Sequence, residues 1–127
     1  AWARVDVRVM DEVQAGRLDA RIRGLRPHLE GATLEISGGI GRPPMVRTPA
    51  VAALYEQAAA LAADMGFEVA EAGSGGGSDG NFTAALGIPT LDGLGAVGDG
   101  AHAEHEHVVL SSLPERAALL AAMLYAL

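Results

Sequence analysis

Cysteine is absent from the 127 residues, and so is lysine. Without Cys there are no disulfides, no thiolate metal sites and no cysteine nucleophile. Without Lys there is no Schiff-base lysine and no phosphate-loop lysine. All nine cations are arginines, set against 16 acidic residues, and the net charge is −7. An acidic chain without a basic stripe is a poor partner for nucleic acid. Aromatic residues make up 4%, so a core must be built from Ala, Leu, Val and Ile, with little bulk per residue. No apolar run approaches the roughly 20 residues that cross a bilayer, and no basic start followed by an apolar stretch marks a signal peptide. Neither a membrane nor a nucleic acid is expected as partner. A cytoplasmic location is expected, with a periplasmic one left open, since both compartments hold Cys-free proteins.

Half the residues are hydrophobic and 20% are charged, a balance that supports a packed fold rather than disorder. Ala3, Val5, Val7 and Val9 alternate with Arg4, Asp6 and Arg8, the period of a half-buried strand. Residues 11–26 carry Val13, Leu18, Ile22 and Leu25 at helical spacing, with Asp11 as N-cap and Gly24 near the end. This predicts an amphipathic helix. Residues 33–36 read as a second strand. Thr48-Pro49 opens a second helix, Ala-rich over 50–65 and stopped at Gly66. A further strand is predicted at 67–70, a buried strand or extended segment at 88–91, a short helix at 81–86 and a last helix opened by Pro114. Alternating helices and strands predict an α/β fold with largely parallel pairing. Gly41, Pro43, Pro44 and Pro49 make a stiff crossing between two structural units. The chain opens in mid-strand at Ala1, so it is expected to be a piece of something longer.

Three features could carry chemistry. The first is the glycine loop 73–80, whose N–H groups open a short helix and could meet an anion; the alternative is a plain surface loop. Its Gly76-Gly77-Ser78-Asp79-Gly80 also fits the Gly-x-Ser-x-Gly nucleophile elbow. Asp92 or Asp99 and then His102 would complete that triad in chain order. The second feature is His102, His105 and His107, neutral imidazoles suited to Zn²⁺. Glu104 and Glu106 lie between them, as in a solvated acidic turn, and His102 is the one expected to face inward. The third is Arg42, held between glycines and Pro43-Pro44, which can offer a planar fork to a carboxylate.

Gly41-Arg42-Pro43-Pro44, Gly75-Gly76-Gly77-Ser78-Asp79-Gly80-Asn81-Phe82, Gly87-Ile88-Pro89-Thr90-Leu91-Asp92-Gly93-Leu94-Gly95 and Gly100-Ala101-His102 follow in that order. Together they resemble the carboxy-terminal part of the dizinc metallopeptidases. That family holds glutamate carboxypeptidases, aminoacylases, acetylornithine deacetylase and succinyl-diaminopimelate desuccinylase, and the first branch fits best. Ala3–Arg8 is similar to the family's dimerisation-domain strand. The resemblance implies that residues 1–43 end an inserted α/β dimerisation (lid) domain. Residues 44–127 would then be the carboxy-terminal part of the catalytic α/β domain. It implies His102 as a metal ligand and Arg42 as the grip on the substrate's terminal carboxylate. Gly76, Gly77, Ser78 and Asn81 become substrate contacts.

The implied reaction is metal-assisted hydrolysis of an amide in a small peptide or N-acyl amino acid. Two zinc ions would serve the complete enzyme, with cobalt or manganese as alternatives, and the lid would make it a homodimer. The family's His-x-Asp motif, bridging Asp, Glu-Glu pair and lid His have no match in these residues. No catalytic residue is therefore assigned here, and the 127 residues alone are expected to be inactive without an amino-terminal segment. Two other classes stay open: a non-catalytic dimerisation or peptide-binding remnant, and a serine hydrolase using Ser78.

Overall fold

The first two helix starts are written in capping residues, and the computed structural model, which describes residues 1–126, follows them closely. Helix α1 spans Glu12–Arg23, and the Asp11 carboxylate accepts the Gln14 N–H as N-cap. Helix α2 spans Pro49–Asp64; Thr48 caps it by accepting the Val51 N–H, and Pro49 fills the first turn, where its missing N–H costs nothing. The chain leaves α2 through Gly66 at φ +87°, a conformation glycine adopts without a Cβ penalty. Helix α3 spans Gly80–Ala85 and α4 spans Leu113–Ala126, after a single 3₁₀ turn at Leu110–Ser112.

The strands depart from expectation. Among the described residues the one sheet pairs β1, Gly98–Asp99, with β2, His107–Val108. The pair is antiparallel, with Gly98 opposite Val108 and Asp99 opposite His107, not parallel. Segments 3–9, 33–36, 67–70 and 88–91 form no strand. A strand exists only through ladder hydrogen bonds to a neighbour, and alternation cannot supply that neighbour. Val5 and Val7 on the would-be inner face of the first segment are 73% and 41% exposed. The described residues are thus helical with one small sheet, a mixed α and β architecture.

The described residues divide into two compact units: Ala1–Val46 with Gly73–Ile88, and Arg47–Ala72 with Pro89–Leu127. In the first, α1 buries Ala15 while Val13 stays largely exposed. Arg23 on α1 pairs with Asp19 at 2.8 Å and donates to the Gly38 carbonyl at 2.8 Å, tying the helix to the segment before Arg42.

The second unit holds the better core. Ala58 and Ala62 of α2 and Leu119 and Met123 of α4 are buried together. Leu54, Leu61, Phe67, Val69, Leu91 and Leu94 pack around them. The alanines let the two helices approach closely, so the low bulk seen in the composition becomes a contact surface. Phe67 and Val69 line this core without ladder bonds, and the Tyr55 hydroxyl donates to the Val69 carbonyl at 3.1 Å.

Arg47 at the start of this unit donates from Nε to both oxygens of Glu71, at 2.9 and 2.8 Å. The hydrogen bond from Arg47 holds the Glu71 carboxyl below its ordinary range; desolvation opposes this and the Arg47 charge adds to it. A carboxyl lowered in the folded state stabilises above its unfolded pKa and loses that contribution as pH falls through the folded value. Acidification from neutral pH through the carboxyl range should therefore loosen the 47–71 link. Thermal melts of Glu71→Gln should lack this part of the acid sensitivity. Equal acid sensitivity in both proteins would contradict the assignment.

Candidate functional site

Arg42 leaves the first unit's irregular segment just before two prolines, which stiffen the backbone that carries it. Its side chain lies along the glycine loop. A Cβ on Gly77 would come within 2.8 Å of Arg42 Cδ and 3.0 Å of Nη1, so only glycine allows this approach. The guanidinium carbon stands 5.2 Å from the centre of the Phe82 ring, within cation–π range. Arg42 Nη2 is 3.5 Å from Asp79 Oδ1, and the Asp79 side chain is 98% exposed. That is a long surface ion pair of small net value, which leaves the fork accessible to another carboxylate.

Asn81 is the buried polar residue of this site. Its Oδ1 accepts the Ser78 N–H at 2.8 Å, and its Nδ2 donates to the Pro43 carbonyl at 2.8 Å. One side chain thereby joins the glycine loop to the residue after Arg42. The loop satisfies several of its own donors. Gly76 N–H donates to Ser74 Oγ at 3.0 Å and Gly80 N–H to Ser78 Oγ at 3.1 Å. The expected row of open N–H groups is therefore partly filled by the loop's own side chains, and α3 behind it has only six residues.

A strained serine turn is absent. His102 is the one non-glycine residue at positive φ among the described residues, so Ser78 lacks the conformation of a nucleophile elbow. Its Oγ is engaged with Gly80 rather than a histidine.

His102 belongs to the second unit. It sits in the turn between β1 and β2 at φ +68°, and its N–H donates to Glu106 Oε2 at 3.3 Å. Gly98 makes the pairing possible, since a Cβ there would collide with the His107 carbonyl oxygen. Gly100 at φ +73° lies against the His105 ring. Contrary to the inward placement expected of it, His102 is exposed, as are His105 and His107. The turn lies on a two-stranded ribbon whose residues are themselves exposed, so no core stands beside the three rings. A strained non-glycine residue is a pointer toward function, and the periodicity of the sequence carried no sign of it.

Among the described residues, no group of three or more His, Asp or Glu side chains could hold a metal ion. A catalytic zinc needs about three protein ligands, so these residues do not fit a metal by themselves. The structure brings Arg42, Gly77, Ser78 and Asn81 together within the first unit, with Gly76 on the same loop. Arg8 also reaches this loop: a Cβ on Gly75 would lie 3.3 Å from Arg8 Cδ. Alternation along residues 3–9 places Arg8 on the outer face of a strand and carries no sign of this approach.

Comparison with known families decides the lineage. The model of peptidase family M20/M25/M40 matches residues 5–126. The chain belongs to this family of metallopeptidases. No curated protein and no solved structure gives a match. The family is one of metal-dependent peptidases and hydrolases, and the match covers Arg42, the glycine loop and His102 alike. Among the described residues of this M20-family chain, no helix is long and apolar enough to cross a membrane.

Proposed function

We propose that this M20-family chain supplies the carboxylate-binding part of a dizinc amide hydrolase of the carboxypeptidase or N-acyl amino acid deacylase kind. The observation that carries the reading is the held Arg42. Its guanidinium rests on Gly77 and Phe82, and its carboxylate neighbour among the described residues is the exposed Asp79, at a long 3.5 Å. A planar fork in that state recognises a carboxylate by two parallel hydrogen bonds. Gripping the terminal carboxylate fixes where the scissile amide lies, which lowers the entropic part of the barrier. Gly76 and Ser78 line the path of the substrate beside Arg42, and Gly77 supports the Arg42 stem.

His102 is proposed as one ligand of a zinc site, with cobalt or manganese as substitutes. When bound, the metal would supply an activated water and polarise the amide carbonyl. Further ligands and a general base would have to come from residues other than those described. Residues 1–43 are proposed as the end of a lid domain that pairs two copies, and 44–127 as the end of the catalytic domain. The glutamate-carboxypeptidase branch is the proposed relation within the family, and the cytoplasm the proposed location.

The test is hydrolysis of N-acyl amino acids and of short peptides ending in glutamate, with and without divalent metal. The 127 residues alone should release no product. The same residues joined to an upstream segment with the missing ligands should hydrolyse in a chelator-sensitive manner and lose the activity with His102→Ala. Metal-dependent turnover by the 127 residues alone would overturn the proposal. So would labelling of Ser78 by a fluorophosphonate probe.

A further inference from the structure

We propose that Asn81 is a positioning residue: it acts on a bound carboxylate through Arg42 and does not touch the ligand. The inference rests on Arg42 as the carboxylate grip, and it changes the role of Asn81 from substrate contact to clamp. An asparagine amide has an acceptor end with two lone pairs and a donor end with two N–H groups. Both are committed here, Oδ1 to the Ser78 N–H and Nδ2 to the Pro43 carbonyl, each at 2.8 Å, in a residue only 9% exposed. Swinging the amide outward to a ligand would break one of these bonds and leave a polar group unpaired, a loss that costs more than the bond contributes net. With both bonds kept, the buried position leaves the second N–H and the second lone pair little access to a ligand.

The clamp closes on the residue that matters. Pro43 follows Arg42 directly, its own φ is locked by its ring, and Pro44 restricts its ψ. Fixing the Pro43 carbonyl therefore fixes the Arg42 backbone against the loop. Gly77 then forms the floor under the Arg42 stem, and Phe82, the residue after Asn81, faces the guanidinium. Arginine loses much rotamer freedom when it binds. A stem already bracketed by residues 77–82 has lost part of that freedom beforehand, so more of the hydrogen-bond energy appears as affinity.

The experiment uses the whole 127-residue chain labelled with ¹⁵N-arginine and glutarate as the probe. Two quantities are read at the Arg42 Nε–H signal, its order parameter and its shift on titration; in chains carrying Arg42→Ala, glutarate binding is read by titration calorimetry. In the unaltered chain this signal should be more ordered than that of the exposed Arg8, and glutarate should shift it. Asn81→Ala should lower the order parameter and weaken glutarate binding about tenfold. Combined with Arg42→Ala, it should have no further effect on binding. Gly77→Ala removes no side-chain hydrogen bond and pushes the stem from the other side. It should act in the same direction, and it carries the test if Asn81→Ala fails to fold.

The proposal is overturned if both variants leave order and affinity unchanged. It is equally overturned if Asn81→Ala weakens residual binding in the Arg42→Ala background, since that means direct contact. If glutarate never shifts the Arg42 signal of the unaltered chain, the carboxylate reading fails. The order parameter still decides whether Asn81 holds the arginine.

Discussion

Replacing Leu119 with alanine is expected to cost the unit of Arg47–Ala72 and Pro89–Leu127 about 3 kcal/mol of stability. Leu119 is fully buried, and its neighbours Ala58 and Ala62 are small. Small neighbours on a packed helix face cannot collapse into the space a lost isobutyl group leaves, so a cavity term adds to the transfer term. The loss is a large part of the few kcal/mol by which a domain of this size stands folded. Leu124 on the same helix is 79% exposed, and Leu124→Ala should stay within about 0.5 kcal/mol. Denaturant titration of the two variants checks the pair. Equal losses would mean that α4 does not pack on α2 through the Leu119 face. Ala62→Leu should also destabilise, by about 1–3 kcal/mol, because the helices meet where Ala62 is.

Arg42→Ala has the largest expected effect on function. In the active, metal-loaded enzyme it should lower kcat/KM for substrates with a free terminal carboxylate by about 10- to 100-fold. The Arg42 side chain is 41% exposed, and solvent screening keeps the effect from going higher. A substrate whose terminal carboxylate is amidated should be cleaved slowly by both proteins and lose nothing further in the variant. Arg42→Lys keeps the charge and loses the fork, so it should fall between the two. The same fall on free and amidated substrates would remove Arg42 from the role of carboxylate grip. Asp79→Asn leaves the guanidinium without its 3.5 Å neighbour and should leave carboxylate preference intact, since that pair is long and exposed.

The glycine loop shows why a motif and a site are different things. Read along the chain, Gly76-Gly77-Ser78-Asp79-Gly80 is open to an anion nest, a plain surface loop and a nucleophile elbow. The folded loop spends its Gly76, Ser78 and Gly80 N–H groups on Ser74, Asn81 and Ser78. What it presents instead is a floor for an arginine. Nothing in residue spacing distinguishes a glycine that faces a ligand from one that carries another side chain. Gly77 belongs to the second kind.

The sequence by itself determined the helices of this protein, because their boundaries are local chemistry. Asp11 and Thr48-Pro49 start α1 and α2, and Gly66 and Gly87 end α2 and α3, by interactions that span only a few residues. It also determined the order of motifs that places the chain in its family. Only the tertiary structure decided the rest. Alternating Val and Arg in residues 3–9 invite a strand, but a ladder needs a partner that no local pattern can name. Helix α4 is apolar on nearly every side, so periodicity could not choose Leu119 over Leu124 as the buried residue; packing against Ala58 and Ala62 did. Asn81 reaches Pro43 across 38 positions of sequence. A hydrogen bond of that span exists only once the chain has folded.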